Sequence, residues 1–398
     1  VACSPTESAA VRCSAGQQGS PGPFFSRPGR ASADGLVALR RELHSYPEAG
    51  GQEVRTAGVV ADRLRAAGLD VVTGVGGHGV VATLSGARAG RTVAYRADMD
   101  AVPPDQQING VAGPAHFCGH DLHTTIGVGV AEALARRRRD LAGTVVFLFQ
   151  PAEELLAGAA AMLAAGVLES TRPAEIHALH CGPWPVGKLM VMPGSGMPGE
   201  DRGVVTFTGA DAMDRARRLV TRITALRTVT RPTTPAQLGR FAADLQKPHG
   251  PYERFLFISA SLAAADRPEV RISSRCWPES RWPEVRETIR RLAGPGAVTF
   301  PSAEPWPALV TPHREALELR RFLGPARAGT IHGGIPFAAE DFSLFLRRLP
   351  GTYSFLGVRR PRRGAETAYP HWGTFDPDER AIGVGVRAMT SWLARRAS

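Results

Sequence analysis

Apolar residues recur at helical spacing over 36–43 and 54–67, and Gly68 stops the second stretch. Short runs rich in β-branched and aromatic residues follow at 71–72, 80–84 and 92–95 and read as strands. Residues 124–134 return to a helical period. Residues 144–149 (TVVFLF) are almost wholly apolar and break at once into polar residues, the pattern of a buried strand. A helix over 157–165 and a short strand over 176–180 continue the alternation. Strands alternating with helices predict an α/β architecture, a mixed and largely parallel sheet flanked by helices. After Gly209 the pattern changes. An amphipathic helix over 212–226, strands over 255–260 and 270–274 and a helix over 283–292 read as a smaller α+β unit. From Pro312 the α/β character returns and ends in a helix over 382–397. The predicted layout is a disordered leader over 1–32, a catalytic domain in two pieces (33–208 and 310–398) and an inserted lid over 209–309.

Composition narrows the classes. A chain of 398 residues that is 43% hydrophobic can build two or three ordinary domains. No apolar run reaches the roughly 18 residues of a membrane span. The 48 Lys+Arg against 37 Asp+Glu leave a net charge of +11. The excess is almost all arginine spread over many helices, only 136–139 form a run, and no motif of a nucleic-acid module is present. Nucleic acid is therefore not expected as a partner, whereas an anionic small molecule suits the charge. The five cysteines (Cys3, Cys13, Cys118, Cys181, Cys276) are odd in number and scattered, so they do not read as a disulfide framework. The first 32 residues, rich in Ser, Gly, Pro and Ala, lack the apolar core of a signal peptide. A reducing, cytoplasmic setting is the resulting expectation.

Six clusters can carry chemistry. In HFCGHDLHTT (116–125), Cys118 and His120 lie two apart in a glycine turn before a helix. Thiolate plus imidazole suits a borderline-soft divalent metal, and Asp121 could hold a ring nitrogen. Read alone, the same letters serve equally as a helix start capped by Asp121 or Thr124 over a buried Cys118. In FLFQPAEE (147–154) an apolar strand delivers Glu153 and Glu154 at its C-terminal end, where open α/β sheets place their sites. One glutamate can bind metal while the other handles a proton, although acids also suit a plain helix start. In YRADMDAVP (95–103), Asp98 and Asp100 share a strand face and either orient ligands or pair with Arg96. IHALHC (176–181) offers His177 and His180 at a strand mouth, and YPHWGTFDPDE (369–379) puts His371 in a Pro/Gly-rich loop. AAEDFSLF (338–345) brings Glu340 and Asp341 before a helix, with a cap as the rival role for Asp341.

Together with RRELHSYPEAGGQEVRTA (40–57), and in this order and approximate spacing, these motifs resemble the aminoacylase/carboxypeptidase family of metallopeptidases. The branch resembled is that of hippurate hydrolase and the plant indole-acetyl-amino-acid hydrolases, over 40–209 and 336–393. The resemblance implies a zinc-peptidase-like catalytic domain with an inserted lid often used for dimerisation. It implies two divalent metal ions (zinc, manganese, cobalt or nickel) on Cys118, His120, Glu154, His180 and His371. It also implies Glu153 as the base that deprotonates water, Asp100 as the residue orienting a ligand, and Asp98 where related branches carry a histidine ligand. Arg275 matches an arginine used for the substrate carboxylate.

The lid departs from the family. TFTGADAMDRARRLV (206–220) runs from Gly209 straight into a helix where relatives carry a Gly-Gly-His stretch. That histidine reaches a neighbouring active site in relatives. PHGPYERF (248–255) stands where an asparagine loop is expected. Arginines 215, 217, 218 and 222 on the 212–226 helix would line the cleft or a dimer seam, or form a solvated face. The expected activity is removal of an acyl group from an N-acyl amino acid or related metabolite. A dipeptidase or carboxypeptidase on the same site, or a metal-binding homologue with lost hydrolysis, are the alternatives. The expected partners are a small acyl-amide and a second copy through the lid, without membrane.

Overall fold

The computed structural model describes residues 30–398, with side chains from Asp34 onward. Cys3, Cys13 and nearly all of the expected leader lie outside the described residues. The chain begins with α1 (Arg30–Ser45), α2 (Val54–Ala66), β1 (Asp70–Val75), β2 (Gly79–Ser85), β3 (Arg88–Asp98), α3 (His120–Ala135), β4 (Ala142–Gln150), α4 (Gly158–Ala164), α5 (Val167–Thr171), β5 (Ile176–Pro185) and β6 (Leu189–Val191). It continues through β7 (Gly196–Met197), β8 (Asp201–Thr206), α6 (Ala212–Thr224), α7 (Pro235–Asp244), β9 (Phe255–Ala264), β10 (Arg267–Trp277), α8 (Trp282–Ala293), β11 (Ala297–Thr299) and β12 (Leu309–Val310). It closes with α9 (His313–Leu323), β13 (Ala328–Thr330), α10 (Ser343–Leu346), β14 (Gly351–Arg359) and α11 (Arg380–Ala397).

The larger sheet has eight strands in the order β1-β2-β4-β3-β5-β14-β6-β13. Its centre, β4-β3-β5-β14, is parallel, while β1, β2 and β6 join antiparallel, so the sheet is mixed. Apolar side chains of α1, α3 and α11 (Leu36, Leu122, Ile126, Val386, Trp392) bury one face. Ala159 and Met162 of α4, with Phe342 and Phe345 around α10, bury the other. Two covered faces explain why β4 is apolar at almost every position. In the same register β3 ends at Asp98 opposite Gln150 of β4, so the loops after both strands open at one rim.

The smaller sheet, β11-β8-β10-β9, is antiparallel and takes its first strand from Asp201–Thr206, ahead of Gly209. Ala216, Leu219 and Ile223 of α6 and Val285 and Ile289 of α8 pack on Ile258, Val270 and Ile272, covering one face. Side chains alternate along β10, so Arg275 points away from the face that carries Ser274 and Cys276 under the helices. The α6 arginines stay on the helix side. Arg215 pairs with Asp211, Arg217 with Asp214, and Arg222 donates to the Leu292 carbonyl. The structure therefore separates Arg218 and Arg222 from Arg275 and gives α6 a solvated basic face.

His177 of β5 sits in the core, 0% exposed, with Trp392 Nε1 donating to its Nδ1 at 3.3 Å and Thr352 Oγ1 2.8 Å from the same atom. Burial first, then Arg396 and Arg91, depress its pKa to about 3 from 6.5. Between those values the unfolded chain binds a proton that the native chain refuses. Folded stability is therefore greatest above pH 6.5 and falls as pH drops toward 3. His177→Gln should flatten the slope of unfolding free energy against pH in this window, read by denaturant titration. An unchanged slope would contradict the assignment.

Candidate active site

Local backbone geometry aims the chemistry. Gly119 stands in the left-handed region (φ 87°) at the start of α3, and a Cβ there would lie 2.8 Å from Cys181 Sγ. Only glycine fits both demands, and the resulting turn presents Cys118 and His120 together. After β4, Ala152 at φ 51° turns the chain so that Glu153 and Glu154 enter the site. His371 itself adopts φ 68°. Two non-glycine residues held in this region cost energy, and such strain persists where the surroundings over-determine it.

The five expected donors converge. Cys118 Sγ is 3.4 Å from His180 Nε2, His120 Nε2 is 3.7 Å from Glu154 Oε1, and His371 Nε2 is 3.3 Å from Glu154 Oε2. Donor atoms of Cys118, His120 and Glu154 all lie within 4.8 Å of one another. The other ring nitrogens are committed. Nδ1 of His120 faces Asp100 Oδ1 at 3.2 Å, that of His180 the Cys181 carbonyl at 2.8 Å, and that of His371 the Gln106 carbonyl at 3.2 Å. An oxygen acceptor at Nδ1 fixes the tautomer, so each of the three rings, when neutral, carries its lone pair on Nε2. His120 Nε2 and Glu154 Oε1 are buried without a hydrogen-bond partner. Orphaned nitrogen and oxygen donors beside a thiol fit a divalent transition metal.

Neighbouring groups that share the space are already used. His123 Nδ1 is 2.5 Å from Asp98 Oδ1, and its Nε2 accepts the Cys181 N–H at 2.8 Å, so neither nitrogen is free for a metal. Asp98 pairs with Arg96 at 2.6 Å, the salt-bridge role that the sequence left open for this motif. Asp100 holds His120 and also accepts the Glu154 N–H at 2.9 Å. Asp121 does not hold a ring of the cluster. It receives His44 Nδ1 at 2.8 Å and Arg40 at 2.9 Å. Asp341 caps a different helix from the one it precedes, accepting the Ala159 N–H of α4 at 2.9 Å. Arg275 is 3.0 Å from Glu200 Oε2, which puts the expected carboxylate-binding guanidinium in an ion pair within the lid.

Electrostatics divide the two glutamates. Burial raises the Glu153 pKa well above the ordinary carboxylate range, and Glu340, Glu154 and Asp341 add to it. Burial also works against the Glu154 carboxylate, but His371 and His120 outweigh it and hold its pKa at about 2. His120 is pulled down by burial and pushed up further by Asp98 and Asp100, to about 10. Burial, then Glu154 and Glu153, push the Cys118 thiol well up. Paired carboxylates whose affinities for protons diverge are suited to different tasks, one ionised as a donor and one exchanging a proton. Sequence reading did not assign His123 or the Arg96–Glu340–Asp341 network, in which Arg96 reaches Glu340 at 2.9 Å and Asp341 at 3.2 Å. The signal for His123 was its place one helical turn after His120.

Residues 94–395 match the model of peptidase family M20/M25/M40. The chain is 31% identical over 370 residues to N-acetylcysteine deacetylase of Bacillus subtilis (strain 168), covering 88% of this chain and 93% of that protein. It is 28% identical over 390 residues to thermostable carboxypeptidase 1 of Saccharolobus solfataricus, covering 90% and 94%. Among solved structures, the Bacillus subtilis YXEP protein, a dinuclear metal binding peptidase from the M20 family, superposes with a TM-score of 0.73 at 25% identity, covering 92% of this chain and 99% of that one. The chain belongs to peptidase family M20/M25/M40 and is a hydrolase of that family.

Proposed function

We propose that this hydrolase is a metal-dependent amidohydrolase that releases the acyl group of an N-acyl amino acid or a related small metabolite. The observation that carries the reading is the set of three imidazoles whose Nδ1 atoms are tied to oxygens and whose Nε2 atoms gather with Cys118 and Glu154 beside Glu153. Cys118, His120, Glu154, His180 and His371 would hold two divalent ions, with zinc, manganese, cobalt and nickel all compatible with such donors. Bound there, the ions supply Lewis acidity toward the amide carbonyl and toward water. Glu153 takes a proton from the attacking water and returns it to the leaving nitrogen. The water oxygen bonds to the acyl carbon as the carbon–nitrogen bond breaks, giving a carboxylic acid and a free amine. Burial of Glu153 among Glu340, Glu154 and Asp341 raises its affinity for a proton, which suits taking one from water and holding it for the amine. Asp100 fixes the His120 ring from behind, and Arg96 offsets the negative charge of the carboxylates around it.

The deacetylase likeness at 31% supports a deacylase, and the carboxypeptidase likeness at 28% favours the second reading, cleavage of a C-terminal residue. Amine release from matched N-acyl amino acids and dipeptides, with metal supplied, separates the two. The deacylase reading expects faster release from the N-acyl compounds. Faster release from dipeptides would select the carboxypeptidase reading, and no release from either would overturn both. A homodimer through the lid belongs to the same proposal, supported by β9 forming an edge of the lid sheet. A cytoplasmic setting is supported by the free thiols of Cys118, Cys181 and Cys276. Among the described residues no helix is long and apolar enough to cross a membrane.

A further inference from the structure

Glu153 has no protein donor to hold it. Among the described residues nothing donates a hydrogen bond to its carboxyl group, and toward the donor cluster it faces His120 Nε2 at 3.8 Å. It also shares a buried cluster with two further acids. Oxygens of Glu153, Glu340 and Asp341 all lie within 4.8 Å of one another. A flexible glutamate without a partner needs something else to fix its direction.

The two further acids are pinned, unlike Glu153. Arg96 Nη2 and the Phe342 N–H both donate to Glu340 Oε1 at 2.9 Å, and the Tyr353 hydroxyl donates to Oε2 at 2.8 Å. Asp341 accepts from Arg96 at 3.2 Å, from the Ala159 N–H at 2.9 Å and from Gln150 Nε2 at 2.7 and 2.9 Å. Gln150 Oε1 in turn accepts from Arg96 Nε at 2.9 Å. Gln150 ends β4, three residues before Glu153, so the strand that delivers Glu153 is bolted to the same network. The Arg96 guanidinium lies 5.7 Å from the Phe342 ring, and all of these side chains are buried. Glu340 therefore has no room to retreat.

Like charges at this separation in a buried site repel strongly. In the ionised form that takes a proton from water, Glu153 is pushed by a fixed Glu340 carboxylate, and Glu153 is the one free to move. We infer that Glu340 is a positioning residue, whose carboxylate, fixed by Arg96, Tyr353 and the Phe342 N–H, turns the ionised Glu153 away from itself and toward the attacking water. This rests on the amidohydrolase reading of the site. Glutamine at 340 would replace a repelling oxygen by an amide that donates a hydrogen bond, and would draw Glu153 the other way.

The test is Glu340→Gln in the full-length, metal-loaded chain, with an N-acetyl amino acid that the wild type hydrolyses. The kcat should fall about 10–100-fold, the scale of a misplaced reacting group, while KM and metal content hold. The thermal midpoint should hold or rise, because Arg96 keeps Asp98 and Asp341 as partners and one crowded charge is gone. A crystal structure of the variant should show the Glu153 carboxyl hydrogen-bonded to the residue 340 amide. Should this variant not fold, Tyr353→Phe loosens Glu340 without removing its charge, and should lower kcat in the same pattern but less far. An unchanged kcat in the variant that folds, an unmoved Glu153 in the Glu340→Gln crystal, or a fall in kcat that comes with lost metal and a lower midpoint would overturn the inference. If the wild type released no amine from any N-acyl amino acid, the functional proposal would fail while the crystal comparison remained readable.

Discussion

Glu153→Gln is expected to lower amide turnover by about 10²–10⁴-fold, the usual contribution of a general acid–base group, with metal content unchanged. Glutamine keeps the shape of the side chain and removes its ability to take a proton from water. The fold should tolerate the change, because burial and three acidic neighbours already favour an uncharged Glu153. The adjacent glutamate predicts a contrast. Glu154 is held ionised beside His371 at 3.3 Å and His120 at 3.7 Å, so Glu154→Gln removes a charged donor and should release metal. Turnover and elemental analysis measured on the same preparations distinguish the two. Near-normal turnover in Glu153→Gln would remove it from proton transfer.

Cys118→Ser and His120→Ala should each empty the site of metal and abolish turnover together. Removing merely the hydrogen-bonding partner of a metal ligand typically costs about 10–100-fold in affinity, and loss of the ligand itself should cost at least that. His120 sits at the centre of the cluster, within 3.8 Å of Glu153, 3.7 Å of Glu154 and 3.6 Å of Asp98. Its loss takes one positive partner from among those carboxylates, which destabilises the native state as well. Asp100→Asn should be milder, since it weakens the hold on His120 Nδ1 without removing a donor. Metal-to-protein ratios after dialysis, with thermal unfolding as the fold control, provide the check. Full occupancy in both ligand variants would take Cys118 and His120 out of the site.

The site was legible in the sequence wherever a residue type and a local pattern sufficed. TVVFLF ending in a glutamate pair could be read as a buried strand delivering carboxylates, because a strand covered on both faces must be apolar throughout. Cys118, His120, His180 and His371 are candidate donors by residue type, and the family resemblance rather than spacing sets them apart from their rival roles. Which nitrogen each ring keeps free could not, because the Gln106 and Cys181 carbonyls that decide it are brought there by the fold. His177 and His180 could have been separated. Three residues apart on a strand, they face opposite ways, and the structure puts His177 in the core against Trp392. Helix α7 was also written in the sequence, as Thr234-Pro235 with Gln237 and apolar positions 238, 241, 242 and 245. Its docking partners, Phe337 and Tyr369, lie about a hundred residues away and leave no local mark. The ion pair that occupies Arg275 has the same origin, since Glu200 is 75 residues distant in the chain. Long-range charge pairing is the part that periodicity and spacing do not encode.

Metal held by these donors is expected to be required for amide hydrolysis. Amine release from a panel of N-acyl amino acids is followed with chelator-treated protein, before and after zinc or manganese is restored. The expected result is negligible release without metal, recovery on its return, and no recovery in Glu153→Gln. Release that persists undiminished after chelation, or that fails to appear with any divalent metal, would contradict it.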